Sequence, residues 1–445
     1  MKVLWIVNRM LPIIAECLGV ESSVKEGWIT GMFAQIMANT AGNGIELSIA
    51  FPAKDELATF EGEISVGDIK LPNIPFGIST EKQTFKAYGF YEDLNKGEKY
   101  DLKTEESLKQ VINKVNPGVI HVFGTEFPHC LATLKATDNP GKVLVGLQGL
   151  CHAIAEVYEA DLPKSVVNRN TFRDFLKRDS IKRQKAKYAK RGENEKKAIA
   201  RATYVTGRTK WDRSKAKEIN PDAIYLGMNE TLRSCFYTGR WRQESCEPGV
   251  IFLSQGDYPL KGLHYVLEAL PKILEECPDA HVYIGGQNIT RHETFKEKLK
   301  LSSYAKYLLK LIKNNHLEDK VTFLGNLTAE EMREQYLRSN VFVCPSKLEN
   351  SPNSLGEAML LGVPCVAARV GGIPDLITED EGILYEDGNI DELANAIISQ
   401  LKAEGDFAAR LKKARGHANF NHDPEANYHT LLQIYNRIAD VQHGD

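Results

Sequence analysis

Short apolar runs alternate with helical patterns through the second half of the chain, and this alternation limits the possible folds more than any other feature. Five runs have the length of strands, at Val250–Leu253, His281–Ile284, Val321–Leu324, Val341–Cys344 and Pro364–Ala367. Between the first two runs, helical spacing relates Leu263, Leu267, Leu270 and Leu274. Strands that alternate with helices predict an α/β fold with a parallel, doubly wound sheet.

The first half repeats this pattern less regularly, which predicts a second sheet. Strands are expected at Val3–Val7, Leu47–Ala50, Val119–Phe123, Val143–Leu147, Tyr204–Thr206 and Ile224–Leu226. Residues from about Asp55 to Asp101 mix glycine, proline and charge, and we expect irregular structure there. Because 445 residues exceed one compact core, we predict domains at 1–240 and 241–424. The join lies near Gly239 to Pro248, and a last helix at 425–445 is expected to pack on the first domain.

Composition describes an ordinary soluble protein, with a net charge of −3 and 42% hydrophobic residues. No apolar run is long enough to span a membrane. The first run, Val3–Val7, is interrupted by Asn8 and Arg9, which favours a buried strand over a secretion signal. The eight cysteines form no C-x-x-C pair. This spacing favours a reducing cytoplasm, with neither a disulfide framework nor a metal site.

The stretch from Glu349 to Leu376 carries the clearest chemistry. Glu349 and Glu357 are eight positions apart, and between them a short polar loop leads into the start of a helix. A helix N-terminus presents backbone N–H groups and partial positive charge, which suits a phosphate. Carboxylates beside it suit hydroxyl-rich groups on that phosphate. This is the outline of a nucleotide-sugar site.

This stretch, ENSPNSLGEAMLLGVPCVAARVGGIPDL, resembles the E-x7-E signature of retaining glycosyltransferases of the GT-B fold, family four. SQGDYPLKGLHYVLEAL and KVTFLGNLTAEEM resemble further elements of the same family, and MKVLWIVNRMLP, GVIHVFGTEFPH and GRTKWDR resemble its bacterial polysaccharide or capsule branch. The resemblance implies two Rossmann-like domains that face each other across a cleft. The chain holds no D-x-D triplet, and the resemblance implies neither a metal nor a cofactor.

The resemblance assigns three residues to the donor. Glu357 would accept hydrogen bonds from the ribose hydroxyls, and Glu349 would face the anomeric carbon or the hydroxyls of the donor sugar. Lys261 would neutralise the diphosphate as the glycosidic bond breaks. The family usually has an arginine a few residues before this lysine. Here the neighbourhood reads Gln255-Gly256-Asp257, so the source of a second cation is open.

Five further residues are predicted to bind the donor: Asn353, Ser354, Leu355, Gly325 and Gly27. Asn353 and Ser354 also suit capping of the next helix, and both roles are compatible. On the acceptor side, the family often has a histidine after the fourth strand of the first domain. Gln148 occupies that place, with His152 four residues later, and His129 is a second candidate. We assign Gln148 and His129 to the catalytic set.

Residues 164–217 contain 19 lysines and arginines against 5 acidic residues. One interpretation is a solvated helix face. The other is a surface for an anionic membrane, on which we place six residues: Arg169, Arg173, Lys177, Arg178, Lys182 and Arg183. No recognition motif for nucleic acid accompanies the charge.

These observations predict transfer of a sugar from a nucleotide-sugar, with UDP favoured, to a glycan or lipid-diphosphate acceptor in cell-surface polysaccharide synthesis. The enzyme would act in the cytoplasm, peripherally at the inner face of the membrane. Two alternatives remain: a nucleotide-sugar epimerase of the same fold, and a non-catalytic, membrane-associated nucleotide-sugar binder.

Overall fold

The computed structural model describes residues 1–21, 27–39, 42, 44–66 and 83–441. The chain forms two compact units. The first unit comprises Met1–Ala153, Lys187–Ser234 and Asn421–Asp445, and the second comprises Ile154–Ala186 and Cys235–Phe420. Residues 154–186 therefore group with the second unit, although they lie inside the predicted first domain. The later crossing falls between Ser234 and Cys235, a few residues before the predicted join.

The first unit contains an eight-stranded sheet. Its strands are β1 (Lys2–Ile6), β2 (Glu46–Ala53), β3 (Glu61–Ser65), β4 (Thr84–Tyr91), β5 (Val119–Phe123), β6 (Val143–Gly146), β7 (Tyr204–Gly207) and β8 (Ile224–Gly227). The order is β3-β4-β2-β1-β5-β6-β7-β8, and only β3 runs antiparallel to its neighbour. The chain reverses its direction of travel across the sheet between β1 and β5. In open parallel sheets, ligands bind at the carboxyl ends of strands beside such a reversal.

The second unit contains a six-stranded, fully parallel sheet. Its strands are β9 (Val250–Leu253), β10 (His281–Gly285), β11 (Val321–Gly325), β12 (Val341–Cys344), β13 (Cys365–Ala368) and β14 (Ile383–Tyr385). The order is β11-β10-β9-β12-β13-β14, so the reversal lies between β9 and β12. The doubly wound α/β fold predicted from the alternating runs is confirmed in both units.

Eighteen α-helices occur in the described part of the chain. Those with at least two residues in the first unit are α1 (Pro12–Cys17), α2 (Gly27–Ala38), α3 (Leu102–Val115), α4 (His129–Ala136), α5 (Cys151–Val157), α8 (Ile181–Ile199), α9 (Lys210–Ile219) and α18 (Pro424–Asp440). The others are α6 (Lys164–Val167), α7 (Phe172–Lys177), α10 (Leu263–Glu276), α11 (Phe295–Leu299), α12 (Ser303–Asn314), α13 (Ala329–Arg338), α14 (Asn353–Leu361), α15 (Ile373–Leu376), α16 (Ile390–Leu401) and α17 (Phe407–Asn421). Helices α5 and α8 carry the chain from one unit to the other.

The expectation of irregular structure from about Asp55 to Asp101 was wrong. Strands β3 and β4 both fall in this region, and β4 extends the sheet by pairing with β2 in parallel. Gly89 allows close contact there, because a Cβ atom at this position would lie 1.7 Å from the Leu57 carbonyl oxygen. The glycine that suggested a loop is thus part of a strand. Residues 67–82 of the same region lie outside the described residues.

The last helix, α18, packs against α2 and β5 within the first unit. The indole N–H of Trp5 donates to the Tyr435 hydroxyl at 2.8 Å, and that hydroxyl lies 2.8 Å from Nδ1 of His121. Burial lowers the pKa of His121 to about 3, so its neutral ring can accept from the tyrosine. These buried polar contacts fix the helix on the core.

Candidate functional site

The loops that follow β9 and β12 meet at the reversal point of the second sheet. The Lys347 N–H donates to the Leu260 carbonyl at 2.8 Å. Gly262 has a φ of +71°, and a Cβ atom there would lie 1.9 Å from the Pro345 carbonyl oxygen. Only glycine combines this backbone conformation with such a close approach. The Lys-Gly pair is thus needed to bring Lys261 to this loop.

Lys261 and Glu349 form an ion pair, with 2.6 Å between Nζ and Oε1. The Ser346 hydroxyl donates to the same carboxylate oxygen at 2.8 Å. Burial would lower the pKa of Lys261, but the neighbouring Glu349 charge outweighs it and raises that pKa above its usual value. The ammonium is therefore charged at neutral pH. The structure brings together two predicted site residues that are 88 positions apart.

The backbone of Glu349 is held by the Gly371-Gly372 turn. The Gly372 N–H donates to the Glu349 carbonyl at 3.0 Å. A Cβ atom on Gly371 would lie 2.0 Å from the same oxygen, and its φ is +51°. This part of the signature therefore positions the carboxylate.

Helix α14 begins immediately after this loop, at Asn353. Pro352 is the N-cap residue and no side chain caps the helix, so the predicted capping role of Asn353 and Ser354 is absent. Instead they are the first two helical residues. Oδ1 of Asn353 is buried and has no hydrogen-bond partner within the described residues. The Ser354 carbonyl accepts from the Tyr336 hydroxyl at 2.8 Å.

The other two predicted residues of α14 differ in what they can offer a ligand. Leu355 is fully buried, and its N–H donates to the Pro352 carbonyl at 3.0 Å. It therefore contributes to packing of the helix. Glu357 lies one turn into the helix with its side chain almost completely buried.

A cavity of about 840 Å³ lies within the second unit at the carboxyl ends of β9, β10 and β11. Gly325 lines it at the end of β11 with a φ of +82°. Oδ1 of Asp257, also in the lining, is buried with no hydrogen-bond partner among the residues described. Arg291 and Lys300 add positive charge to the wall. They are candidates for the second cation, and no motif in the sequence marks them.

Two predicted membrane residues, Arg173 and Lys177, line this cavity. Arg173 lines it, and its guanidinium donates to Asp179 at 2.7 Å and to Asp174 at 3.2 Å. Two carboxylates thus pair with the Arg173 charge, and its role at a membrane stays a prediction. The other five predicted cations are exposed: Arg169, Lys177, Arg178, Lys182 and Arg183.

The predicted acceptor-side residues lie in the first unit, in three separate arrangements. Gln148 donates to Glu230 at 2.9 Å and accepts from Arg208, which also forms a buried ion pair with Glu230. His129 is fully buried, with Nδ1 2.6 Å from Glu92. His152 lies 2.6 Å from the buried Glu195. Gln148 is at the carboxyl end of β6, whereas His129 contributes to the core.

Gly27 is the first residue of α2. Gly27 was predicted to bind the donor, and residues 22–26 before it lie outside the described residues. Among the residues described, no cluster of histidine, cysteine or acidic side chains could hold a metal ion. No described helix is long and apolar enough to cross a membrane.

Comparison with known proteins places these loops in a family context. Residues 241–416 match the family model for glycosyl transferases group 1. The matched segment, which is less than half of the chain, is similar to members of that family. It contains Lys261, Glu349 and Glu357, and with them the loops after β9 and β12.

Curated relatives match over part of their length. The chain is 41% identical over 98 residues to N-acetyl-alpha-D-glucosaminyl L-malate synthase of Bacillus anthracis, which is 22% of this chain and 25% of the relative. It is 29% identical over 205 residues, 44% of this chain and 46% of the relative, to a phosphatidyl-myo-inositol mannosyltransferase of Propionibacterium freudenreichii. The chain thus spans less than half the length of each of these curated relatives.

Solved structures match over the whole chain. Sucrose-phosphate synthase of Thermosynechococcus elongatus has a TM-score of 0.66 at 15% identity, covering 99% of this chain and 100% of that one. Anabaena HepE in complex with UDP-glucose has a TM-score of 0.60 at 15% identity, with full coverage of both chains. Likenesses at this identity establish the fold, which is GT-B.

Proposed function

We propose that this chain is a glycosyltransferase that moves a sugar from a UDP-linked donor to a glycan or lipid-linked acceptor, with retention of the anomeric configuration. The observation that carries this proposal is the Lys261–Glu349 ion pair, which lies in the loops directly before the N-terminus of α14. The group 1 family match over 241–416 supports it. UDP is favoured because the structural neighbour HepE was solved with UDP and with UDP-glucose.

The geometry suits stabilisation of a leaving diphosphate. The Lys261 ammonium is charged, and the first amides of α14 add the partial positive charge of a helix N-terminus. Both would act on the negative charge that develops as the glycosidic bond breaks. Glu349 already lies 2.6 Å from this ammonium. Its carboxylate can then stabilise positive charge at the anomeric centre on the other side of the breaking bond.

The nucleoside end of the donor would occupy the cavity at the ends of β9, β10 and β11. Its wall combines aromatic and polar side chains, including Tyr258, Asn288 and Tyr304. The buried Glu357 carboxylate would accept from the ribose hydroxyls, as the family resemblance implies. Charge-assisted hydrogen bonds of this kind are about twice as strong as neutral ones.

A nucleotide screen by thermal shift tests the donor assignment. We expect UDP to raise the melting temperature more than GDP or ADP, because a ligand that binds only the folded state stabilises it. Lys261→Ala should lose this shift. Lys272→Ala is the matched control, because Lys272 lies in the same unit in an exposed ion pair with Asp391 at 2.8 Å. Equal UDP shifts in both variants would refute the role of Lys261.

We also propose that the enzyme works at an anionic membrane surface, in the cytoplasm at the inner face. Phe172, Phe175 and Leu176 are exposed on α7, and their i, i+3, i+4 spacing places them on one face. The opposite face is anchored in the second unit, where the buried Asp174 accepts from the Ser303 N–H at 3.0 Å. The five exposed cations named above lie on both sides of α7 in the sequence, between positions 169 and 183. A lipid-linked acceptor would be presented at such a surface.

A further inference from the structure

Two polar side chains, of Asn8 and Glu126, lie close together at the reversal point of the first sheet. Neither was among the acceptor-side residues predicted from the sequence. Asn8 follows β1, and Glu126 follows β5, the neighbouring strand. Gly124 lies between them with a φ of +89°. A Cβ atom on this glycine would be 2.2 Å from Oε2 of Glu126 and 3.3 Å from Nδ2 of Asn8. The glycine therefore leaves room for the two side chains to approach the same point.

One acceptor oxygen of each side chain lacks a hydrogen-bond donor within the described part of the chain. Oε1 of Glu126 accepts from the Gly149 N–H at 2.9 Å, which fixes the carboxylate. Its Oε2, and Oδ1 of Asn8, are buried with no partner there. Each buried acceptor without a donor destabilises the fold, because it has lost its hydrogen bonds to water. Buried unsatisfied groups in native structures call for an explanation, and a functional role is one of them.

The surroundings identify the chemistry that would complete it. Both oxygens accept hydrogen bonds, so the ligand must supply donors. The carboxylate is shielded from water and lies near Arg191, whose Nε donates to the Glu126 backbone carbonyl at 2.6 Å. A hydroxyl group fits best, because it is a compact donor that a carboxylate in a shielded place binds well. Sugars and polyols offer several such hydroxyls.

We propose that Glu126 and Asn8 bind hydroxyl groups of the acceptor, at the carboxyl ends of β5 and β1. This inference rests on the proposed glycosyl transfer and assigns its acceptor side. Gln148 is already engaged by Glu230 and Arg208, and His129 is buried in the core. We therefore assign the acceptor-side carboxylate to Glu126, and the roles of Gln148 and His129 stay predictions.

The test uses Glu126→Gln, which keeps the shape of the side chain and an oxygen for the Gly149 N–H but removes the charged acceptor. The probe is octyl glucoside below its micelle concentration, added to UDP-saturated protein and followed by saturation-transfer NMR. We expect transfer to the sugar protons in the wild type and a loss of at least about tenfold in affinity in the variant. Glu106→Gln, an exposed carboxylate change on α3, is the control and should behave as the wild type.

Protonation gives a second readout. Burial raises the pKa of Glu126, Glu195 on α8 raises it further, and Arg191 on the same helix opposes the rise. Octyl glucoside binding should therefore weaken as pH falls through this raised pKa, and the Glu126→Gln variant should lack that acid limb. Its melting temperature should match or exceed that of the wild type, since a buried charge is removed.

Two results separate this inference from the proposed function. Equal octyl glucoside binding by wild type and Glu126→Gln, or no saturation transfer in either, overturns the assignment of Glu126 and leaves an ordered water as the group that completes the site. A UDP-induced rise in melting temperature that persists in Glu126→Gln shows that the donor assignment is unaffected. Absence of that rise in the wild type refutes the proposed donor instead.

Discussion

The exposed apolar side chains of α7 should contribute to membrane binding, and their exposed fractions give the size of that contribution. Phe172, Phe175 and Leu176 are 59%, 62% and 62% exposed. Full burial of such a side chain is worth about 1.5–3 kcal/mol, so burying the exposed three-fifths of each should contribute about 3–5 kcal/mol together. Replacing all three by serine should therefore lower membrane partitioning by at least roughly 100-fold.

Flotation with lipid vesicles measures this effect. We expect the wild type to float with vesicles of phosphatidylcholine and phosphatidylglycerol and much less with phosphatidylcholine alone. The basic residues around α7 account for the difference, at about 1 kcal/mol each near an anionic surface. The triple serine variant should remain at the bottom of the gradient. Its melting temperature should not change, because the three side chains are exposed while Asp174 still anchors the helix.

The matched control is Phe295→Ser, which removes one aromatic side chain that is 78% exposed on another helix of the same unit. Its flotation should equal that of the wild type. If the triple variant floats as well as the wild type, the apolar face does not dock on lipid. If the wild type floats equally well with uncharged vesicles, the proposed role of the basic residues is wrong.

Three further changes probe the donor loops and the core. Glu349→Gln frees Lys261 from its ion pair, so UDP affinity by calorimetry should hold or rise while sugar transfer falls by about 100-fold or more; full activity would contradict the role of Glu349. Gly262→Ala forces a Cβ atom against the Pro345 carbonyl in a left-handed conformation, and calorimetric unfolding should show a loss of about 1–3 kcal/mol. The pKa of His121 is lowered to about 3 in the folded state, below its unfolded value of about 6.5. Its contribution to stability is complete above the unfolded value and is lost as pH falls from there towards 3. His121→Gln should therefore reduce the acid slope of the unfolding free energy, and an unchanged slope would refute this reasoning.

Much of the second sheet could be predicted from the sequence because its central strands β9, β12 and β13 are buried throughout and give short apolar runs. β9 and β12 match the expected bounds, β10 and β11 are one residue longer, and β13 is shifted by one residue. Strand β14 was missed, since it is three residues long and partly exposed at the sheet edge. Strands β3 and β4 were missed because charged residues and glycine obscure the apolar pattern there.

The division into units depends on contacts that local sequence patterns do not contain. Residues 154–186 group with the second unit through interactions such as that of Asp174 with Ser303, 129 positions later. The same folding explains why the place of Arg173 in the cavity wall could not be predicted from the sequence. Its partner Asp179 is close in sequence, but the cavity that both line is completed by residues of β9, β10 and β11 loops.

The residues of the donor site could be predicted from the family resemblance. Their arrangement in space could be seen only in the structure. The contact between Lys261 and Glu349 depends on Gly262 and on the turn at Gly371. No sequence motif marks Glu126 as a functional residue, because a single carboxylate after a strand is common. Its significance comes from the glycine beside it and from the N–H of Gly149, which follows a different strand.

The rate of UDP release from UDP-sugars tests the central proposal most directly. The assay compares wild type, Lys261→Ala, Glu349→Gln and the control Lys272→Ala with UDP-glucose and UDP-N-acetylglucosamine, in the presence of lipid extract as acceptor source. We predict that the wild type and Lys272→Ala release UDP at equal rates from at least one donor, and that each of the other two variants is slower by about 100-fold or more. Equal release by all four proteins, or none from any donor by the wild type, would contradict a sugar transfer centred on the Lys261–Glu349 pair.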